Sequence, residues 1–368
     1  MKIAWFSPNF ADGGVERTIL KLSAVFAEHG HETQLVTLNI NSRLLETSPS
    51  SLKVVDLGAS RAALSIKKLS NYIRSEQPDA VISSQHYANI VAVAARKLSR
   101  TKTRLILTER TSINKALQTK SRPLRWIHTQ LVKRSYKHGD VIIANSIDGA
   151  AELADFLGWP NERVGHIYNP ADPSLIQARS TEPISHPWIE DSDNIPLFVA
   201  AGRLSPQKDY PTMLRALALA NASKMYRLLI IGDGPDRTKL EQLATDLSVS
   251  DKVAFLGATE NPYPYIANAD LVLLSSGYEG MPNVLIEAQI LGVPIVSTDC
   301  PTGPSELLFG GKAGYLVPVG DPNSMSTAIV EAINNIEEAN AKAKLGHEHI
   351  DRFQPETAYQ NYMNLISN

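Results

Sequence analysis

The stretch Glu279-Gly280-Met281-Pro282-Asn283-Val284-Leu285-Ile286-Glu287-Ala288 gathers residue types able to hold a charged or hydroxyl-rich ligand. It follows the apolar run 271–274 and leads into a helix-like segment. A helix start leaves N–H groups unpaired and carries partial positive charge, which makes it an anion site. At about 3.6 residues per turn, the spacing predicts Glu287 near the face that Glu279 approaches. Gly202-Arg203-Leu204-Ser205-Pro206-Gln207-Lys208-Asp209 follows another apolar run. Arg203 and Lys208 therefore stand at a strand end, where cations stabilise a developing anion. Near the N-terminus, Gly13-Gly14 separates a strand from a helix and lets backbone N–H groups approach a phosphate or sugar, although strand–helix turns use glycine routinely.

The elements that must position these residues alternate. Apolar runs at 2–6, 32–37, 80–83, 105–108 and 141–144 are separated by amphipathic stretches. A second series runs 197–200, 228–231, 253–256, 271–274 and 295–297. Short apolar strands between helices predict parallel sheets covered on both faces. The fold class is α/β: two Rossmann-like, doubly wound domains facing a cleft, with ligands at the carboxyl ends of the strands. The expected domains are 1–180 and 197–352. A polar linker, 181–196, carries Pro183, Pro187 and Pro196, and the helix-like 353–368 is free to cross back to the first domain.

Composition narrows the class. With 368 residues, 43% hydrophobic and 20% charged, the chain is a two-domain globular protein and no disordered or collagen-like one. The lone Cys300 allows no internal disulfide and no cysteine-based zinc site, which fits a reducing compartment. No apolar run approaches the ~18 residues that span a bilayer, and the N-terminus reads as a strand rather than a signal peptide. The net charge of −2 hides a split: +9 over residues 1–180 and −11 over 181–368. Other patterns are set aside. Asp191-Ser192-Asp193 lies in the polar linker with no preceding strand, and His347 and His349 share no helix face. Neither a nucleophile elbow nor a dinucleotide glycine fingerprint is present.

Taken together, these motifs resemble the signature of glycosyltransferase family 4, retaining nucleotide-sugar transferases of the GT-B fold. The resemblance rests on Glu279 and Glu287 with seven residues between them, the Gly202–Asp209 segment, Gly232-Asp233-Gly234-Pro235, Gly292-Val293-Pro294 and Gly13-Gly14-Val15-Glu16-Arg17. It covers both halves and is densest over 197–320. It implies a catalytic and donor-binding set of Arg203, Lys208 and Glu279. Arg203 and Lys208 would contact the donor diphosphate, with no metal and no cofactor required. Glu279 would hold hydroxyls of the transferred sugar, beside the N–H groups of Gly280, Met281 and Asn283. Glu287 would accept from the ribose, and Val284 and Leu285 would lie against the nucleotide. Gly13, Gly14, Gly202 and Gly232 complete the donor side. Many relatives carry a histidine after the strand 105–108, where this chain has Thr108-Glu109-Arg110-Thr111. Glu109, Arg110 and His86 are the candidates for the acceptor or sugar side.

The implied reaction moves a sugar from a UDP-sugar, an N-acetylhexosamine among the options, to a lipid-linked or polysaccharide acceptor in bacterial surface-glycan assembly. A UDP-sugar epimerase and a non-catalytic nucleotide-sugar-binding subunit are the alternatives. Between Arg96 and Lys137 lie thirteen Lys and Arg and one acid, Glu109, with Leu124, Trp126, Ile127 and Leu131 interleaved. That pattern predicts peripheral contact with an anionic membrane. No nucleic-acid-binding module accompanies the charge. The expected location is cytoplasmic, peripheral on the inner membrane.

Overall fold

A computed structural model of the chain describes residues 1–10, 13–38, 45, 48, 50–59, 62–190, 194–222 and 224–367. The chain divides into two compact units, Met1–Pro170 with Phe353–Asn368, and Ala171–Arg352.

The first unit is built on seven parallel strands: β1 (Lys2–Phe6), β2 (Glu32–Thr37), β3 (Leu52–Asp56), β4 (Ala80–Ser84), β5 (Arg104–Glu109), β6 (Val141–Ala144) and β7 (Gly165–His166), in the order β3-β2-β1-β4-β5-β6-β7. Alternation along β1 feeds two cores. Ala4 and Phe6 enter one apolar cluster, Ile3 and Trp5 the other. Trp5 is fully buried, edge-on to Phe26 at 5.8 Å and to Tyr362 at 5.7 Å. The terminal helix Pro355–Ser367 supplies Ala358, Tyr359, Tyr362 and Ile366 to that cluster, a helical spacing.

The second unit carries six parallel strands: β8 (Leu197–Ala201), β9 (Arg227–Ile231), β10 (Val253–Gly257), β11 (Leu271–Leu274), β12 (Ile295–Thr298) and β13 (Tyr315–Val317), in the order β10-β9-β8-β11-β12-β13. In both sheets the order reverses beside the first strand. Strands β1 and β4, and β8 and β11, therefore flank the switch points where a ligand meets the carboxyl ends.

Three strands lie outside the sequence expectation. β3 is a half-exposed edge strand, while β7 and β13 have only two and three residues, too short for a period to register. β5 runs one residue further than expected and takes in Glu109, opposite Ala144. The contact boundary falls at Pro170/Ala171, not at 180. The helix Pro173–Ser180 packs on helices Tyr263–Ala267 and Asn283–Leu291 of the second unit. Asn261 Nδ2 donates to the Arg179 carbonyl at 2.8 Å and to Glu182 Oε2 at 2.6 Å, tying the chain there. The expected linker contains a short helix, Pro187–Glu190, and Asp191-Ser192-Asp193 lies outside the described residues. No helix among the described residues is long and apolar enough to cross a membrane.

Candidate active site

In the second unit, the loops after β8, β11 and β12 are stitched together by hydrogen bonds. Ser275 Oγ donates to the Lys208 carbonyl at 2.7 Å, Gly277 N to the Gln207 carbonyl at 2.8 Å, and Gln207 Nε2 to the Tyr278 carbonyl at 3.0 Å. Thr298 Oγ1 donates to the Ser276 carbonyl at 2.7 Å, and Glu279 N to the Pro301 carbonyl at 3.2 Å. These bonds fix the backbone on which the charged side chains sit. Lys208 Nζ lies 2.6 Å from Glu279 Oε1, and Ser276 Oγ donates to the same oxygen at 2.6 Å. The Glu279 side chain is only 8% exposed and that of Lys208 18%, so the pair is largely desolvated.

Glycine permits the close approach of these loops. Gly232 has φ +134°, and a Cβ there would stand 2.0 Å from the Gly202 carbonyl oxygen. Gly303, at φ +92°, would bring a Cβ within 2.6 Å of the Gly280 carbonyl oxygen. Thr302, next to it, is held at φ 64° and donates from Oγ1 to the Glu279 carbonyl. Gly202 N bonds the Ile231 carbonyl at 2.9 Å, and Tyr210 OH bonds the Gly202 carbonyl at 3.1 Å.

Arg203 is exposed and, among the described residues, carries no ion pair. The helix Asn283–Leu291 starts after Pro282 with no side-chain cap among the described residues. Residues 279–282 are not helical, so helical periodicity does not relate Glu279 to Glu287 as the spacing predicted. Glu287 is half-buried on the helix itself. Val284, Leu285 and Met281 are buried with 5%, 0% and 4% exposure. The two aliphatic side chains belong to the core. Cys300 is buried, and burial followed by the nearby Glu279 charge pushes its thiol up to about 12, so it is no nucleophile.

The first unit treats its candidates differently. Glu109 is 3% exposed; it accepts from Tyr136 OH, and from Asn89 Nδ2 at 3.2 Å. Asn89 Nδ2 also lies 2.7 Å from Tyr136 OH. Burial pushes the Glu109 carboxyl up to about 8 against the pull of these two donors, which favours its protonated form. Arg110 is 6% exposed, donating from Nη1 to Asn169 Oδ1 at 2.9 Å and from Nη2 to Tyr362 OH at 3.2 Å. Both side chains are thus engaged inside the unit. His86 is half-buried at the start of helix His86–Ser99. Gly13 has φ −120°, which any residue adopts, and among the described residues a Cβ there would meet only the flexible Glu16 carboxylate. Gly14 opens helix Gly14–Glu28 and is exposed; residues 11 and 12 lie outside the described set.

Ser276, Thr302, Asn89 and Tyr136 were not legible as site residues. Ser276 alone carries a sequence signal, polarity directly after a buried strand, as Ser275-Ser276 follow β11 and are both fully buried, whereas Asn89 and Tyr136 lie in helices. Among the described residues no group of three or more His, Cys, Asp or Glu is arranged to hold a metal ion.

Comparison with known proteins agrees with this architecture. The family described as Glycosyltransferase Family 4 matches residues 12–175, and that described as Glycosyl transferases group 1 matches 195–335. The lipopolysaccharide core biosynthesis glycosyltransferase LpsE of Rhizobium meliloti is 29% identical over 63% of this chain and 65% of its own length. An uncharacterized glycosyltransferase of Methanocaldococcus jannaschii, 28% identical over 66% of this chain, is likewise matched over only 60% of its length. The N-acetylgalactosamine-N,N'-diacetylbacillosaminyl-diphospho-undecaprenol 4-alpha-N-acetylgalactosaminyltransferase of Campylobacter jejuni is 27% identical over 88% of both chains. In structure, Anabaena Alr3699/HepE in complex with UDP-glucose superposes with TM-score 0.83 at 21% identity over 100% of this chain and 99% of its own. With both halves matched by their family and the two parallel sheets shared with solved GT-B structures, the chain belongs to the family-4 type of glycosyltransferases.

Proposed function

We propose that the chain transfers a sugar from a UDP-sugar to a lipid-linked or polysaccharide acceptor in surface-glycan assembly, with retention at the anomeric carbon. The observation that carries this reading is the Lys208–Glu279–Ser276 constellation at the carboxyl ends of β8 and β11. A cation, a carboxylate and an adjacent helix start are the parts needed to grip a diphosphate and a sugar hydroxyl together. Arg203 and Lys208 stabilise the departing diphosphate, Glu279 holds sugar hydroxyls, and Glu287 meets the ribose. As the bond from the anomeric carbon to the phosphate oxygen breaks, the acceptor oxygen bonds on the same face and its proton passes to the departing phosphate. The two cations supply the charge stabilisation that a metal supplies elsewhere. UDP-glucose in HepE and the diphospho-undecaprenol acceptor in the Campylobacter name support the substrate classes.

Membrane contact belongs to the same reading. The helix Arg122–Tyr136 buries Val132 and Tyr136 yet leaves Trp126 66% exposed, with Leu124, Ile127 and Leu131 also exposed. Such a face, rimmed by arginine and lysine, suits the interface of an anionic bilayer.

The test is a UDP-release assay across UDP-sugars with a polyprenyl-diphosphate-linked acceptor, with and without a chelator. Acceptor-dependent release that survives chelation is expected. Isomerised free donor would instead identify an epimerase, and tight donor binding without turnover a binding subunit.

A further inference from the structure

The carboxyl edge of the first sheet holds a group of side chains that the donor chemistry does not use. β4 ends at Ser84, and Gln85, at φ 77° and ψ 145°, turns the chain so that His86 opens the helix His86–Ser99. The His86 ring meets that of His128 edge-on, with centroids 6.5 Å apart and planes at 78°. His128 comes from the helix Arg122–Tyr136, and its Nδ1 is buried with no hydrogen-bond partner among the described residues. Lys120 precedes that helix in a turn closed by Arg125, whose Nη2 donates to the Gln118 carbonyl at 2.9 Å and the Lys120 carbonyl at 3.4 Å.

After burial, the Lys120 charge is the largest influence on both rings. His86 is held down to about 4, and His128 is lowered as well. Among the described residues no carboxylate acts on either ring. Two imidazoles from two segments thus face each other, the Lys120 charge acts on both, and among the described residues no carboxylate offsets it, an arrangement that an incoming anion relieves. Rings 6.5 Å apart do not share one oxygen, but each can donate to a different phosphoryl group. Leu124, Ile127 and Leu131, at i, i+3 and i+7 on the His128 helix, form an exposed apolar seam alongside.

We propose that His86, His128 and Lys120 bind the diphosphate of a prenyl-diphosphate acceptor, with the prenyl chain along Leu124, Ile127 and Leu131. This rests on the lipid-linked acceptor reading above and gives that acceptor its place on the first unit. The test follows the histidine C2–H resonances of the full chain, assigned with His86→Gln and His128→Gln. Inorganic pyrophosphate and geranyl diphosphate are titrated in turn, with UDP present to occupy the phosphate site of the second unit. Saturable shifts at both rings are expected, together with about tenfold weaker binding in Lys120→Gln. Geranyl diphosphate should bind more tightly than pyrophosphate, and Leu131→Ser should remove the difference. Unshifted rings, or full affinity in Lys120→Gln, would overturn the site, and equal affinity for the two probes would overturn its lipid part. Transfer to a diphosphate-linked acceptor without these shifts removes the site and leaves the reading; shifts without transfer do the reverse.

Discussion

Each unit buries one glutamate at the carboxyl end of its sheet, and the two are handled in opposite ways. Glu279 is held by a cation, Lys208, and a serine hydroxyl. Glu109 is held by a phenol and an amide, both neutral, and its carboxyl is pushed up to about 8. The first arrangement keeps a charge inside the protein by pairing it; the second avoids the charge. A paired carboxylate and ammonium can exchange partners with an incoming diphosphate and sugar. A protonated glutamate between Tyr136 and Asn89 offers a ligand nothing comparable, but it binds β5 to two helices. Burial alone therefore does not mark a site; the charge of the partner does.

The largest break in that contrast comes from removing Lys208. Lys208→Ala strands the Glu279 carboxylate, and truncating one partner of a buried pair costs about 3–5 kcal/mol. The same variant should lose at least about tenfold in turnover, or ~1.4 kcal/mol of barrier, because the diphosphate loses a cation. Urea unfolding and UDP release measure the two losses separately. Wild-type turnover in a folded Lys208→Ala protein would remove the leaving-group role. Restoring stability with Lys208→Met combined with Glu279→Gln, while activity stays low, would separate packing from chemistry.

How much of this was legible in sequence follows the same division. Lys208 and Glu279 stood out because each follows a buried apolar run and their motif spacing resembles a family. That they bind each other was not legible, because they are 71 residues apart and meet only when the loops after β8 and β11 interlock. Glu109 read as a loop residue facing a ligand, because the apolar run before it stops at Thr108. In the structure β5 continues through Glu109, and its partners arrive from 20 and 27 residues away. Sequence reports where a strand ends only to within a residue or two, and one residue decides whether a strand-end side chain points into the core.

A smaller effect sharpens the contrast from the other side. Glu109→Ala removes the acceptor for Tyr136 OH and one of the acceptors of Asn89 Nδ2, which keeps the Thr108 carbonyl at 3.1 Å, and leaves a cavity, at an expected cost of about 2–4 kcal/mol. Glu109→Gln keeps a carbonyl oxygen for both donors and replaces the acid proton by an amide N–H, so it should cost under about 1 kcal/mol. Thermal or urea unfolding of the two variants checks the order. Equal losses would mean that Glu109 is ionised in the native protein.

The smallest effect, and the most specific, is in the pH dependence of stability. Glu109 has its native value raised from 4.5 to about 8, so between those values the unfolded chain releases a proton that the folded chain keeps. Its contribution is complete below about 4.5, declines as pH rises, and is gone above about 8. His86 opposes it over part of that range. Lowered from 6.5 to about 4, it stays neutral in the folded protein while the unfolded chain takes up a proton, so its contribution grows as pH rises toward 6.5. Between about 4.5 and 6.5 the two slopes cancel. Above 6.5 only the decline from Glu109 persists, at no more than about 1.4 kcal/mol per pH unit for one proton. Wild type should therefore lose stability relative to Glu109→Gln between pH 6.5 and 8, measured by urea unfolding at half-unit steps. Parallel curves across that window would show Glu109 ionised in the native protein, and the contrast between the two units would fail.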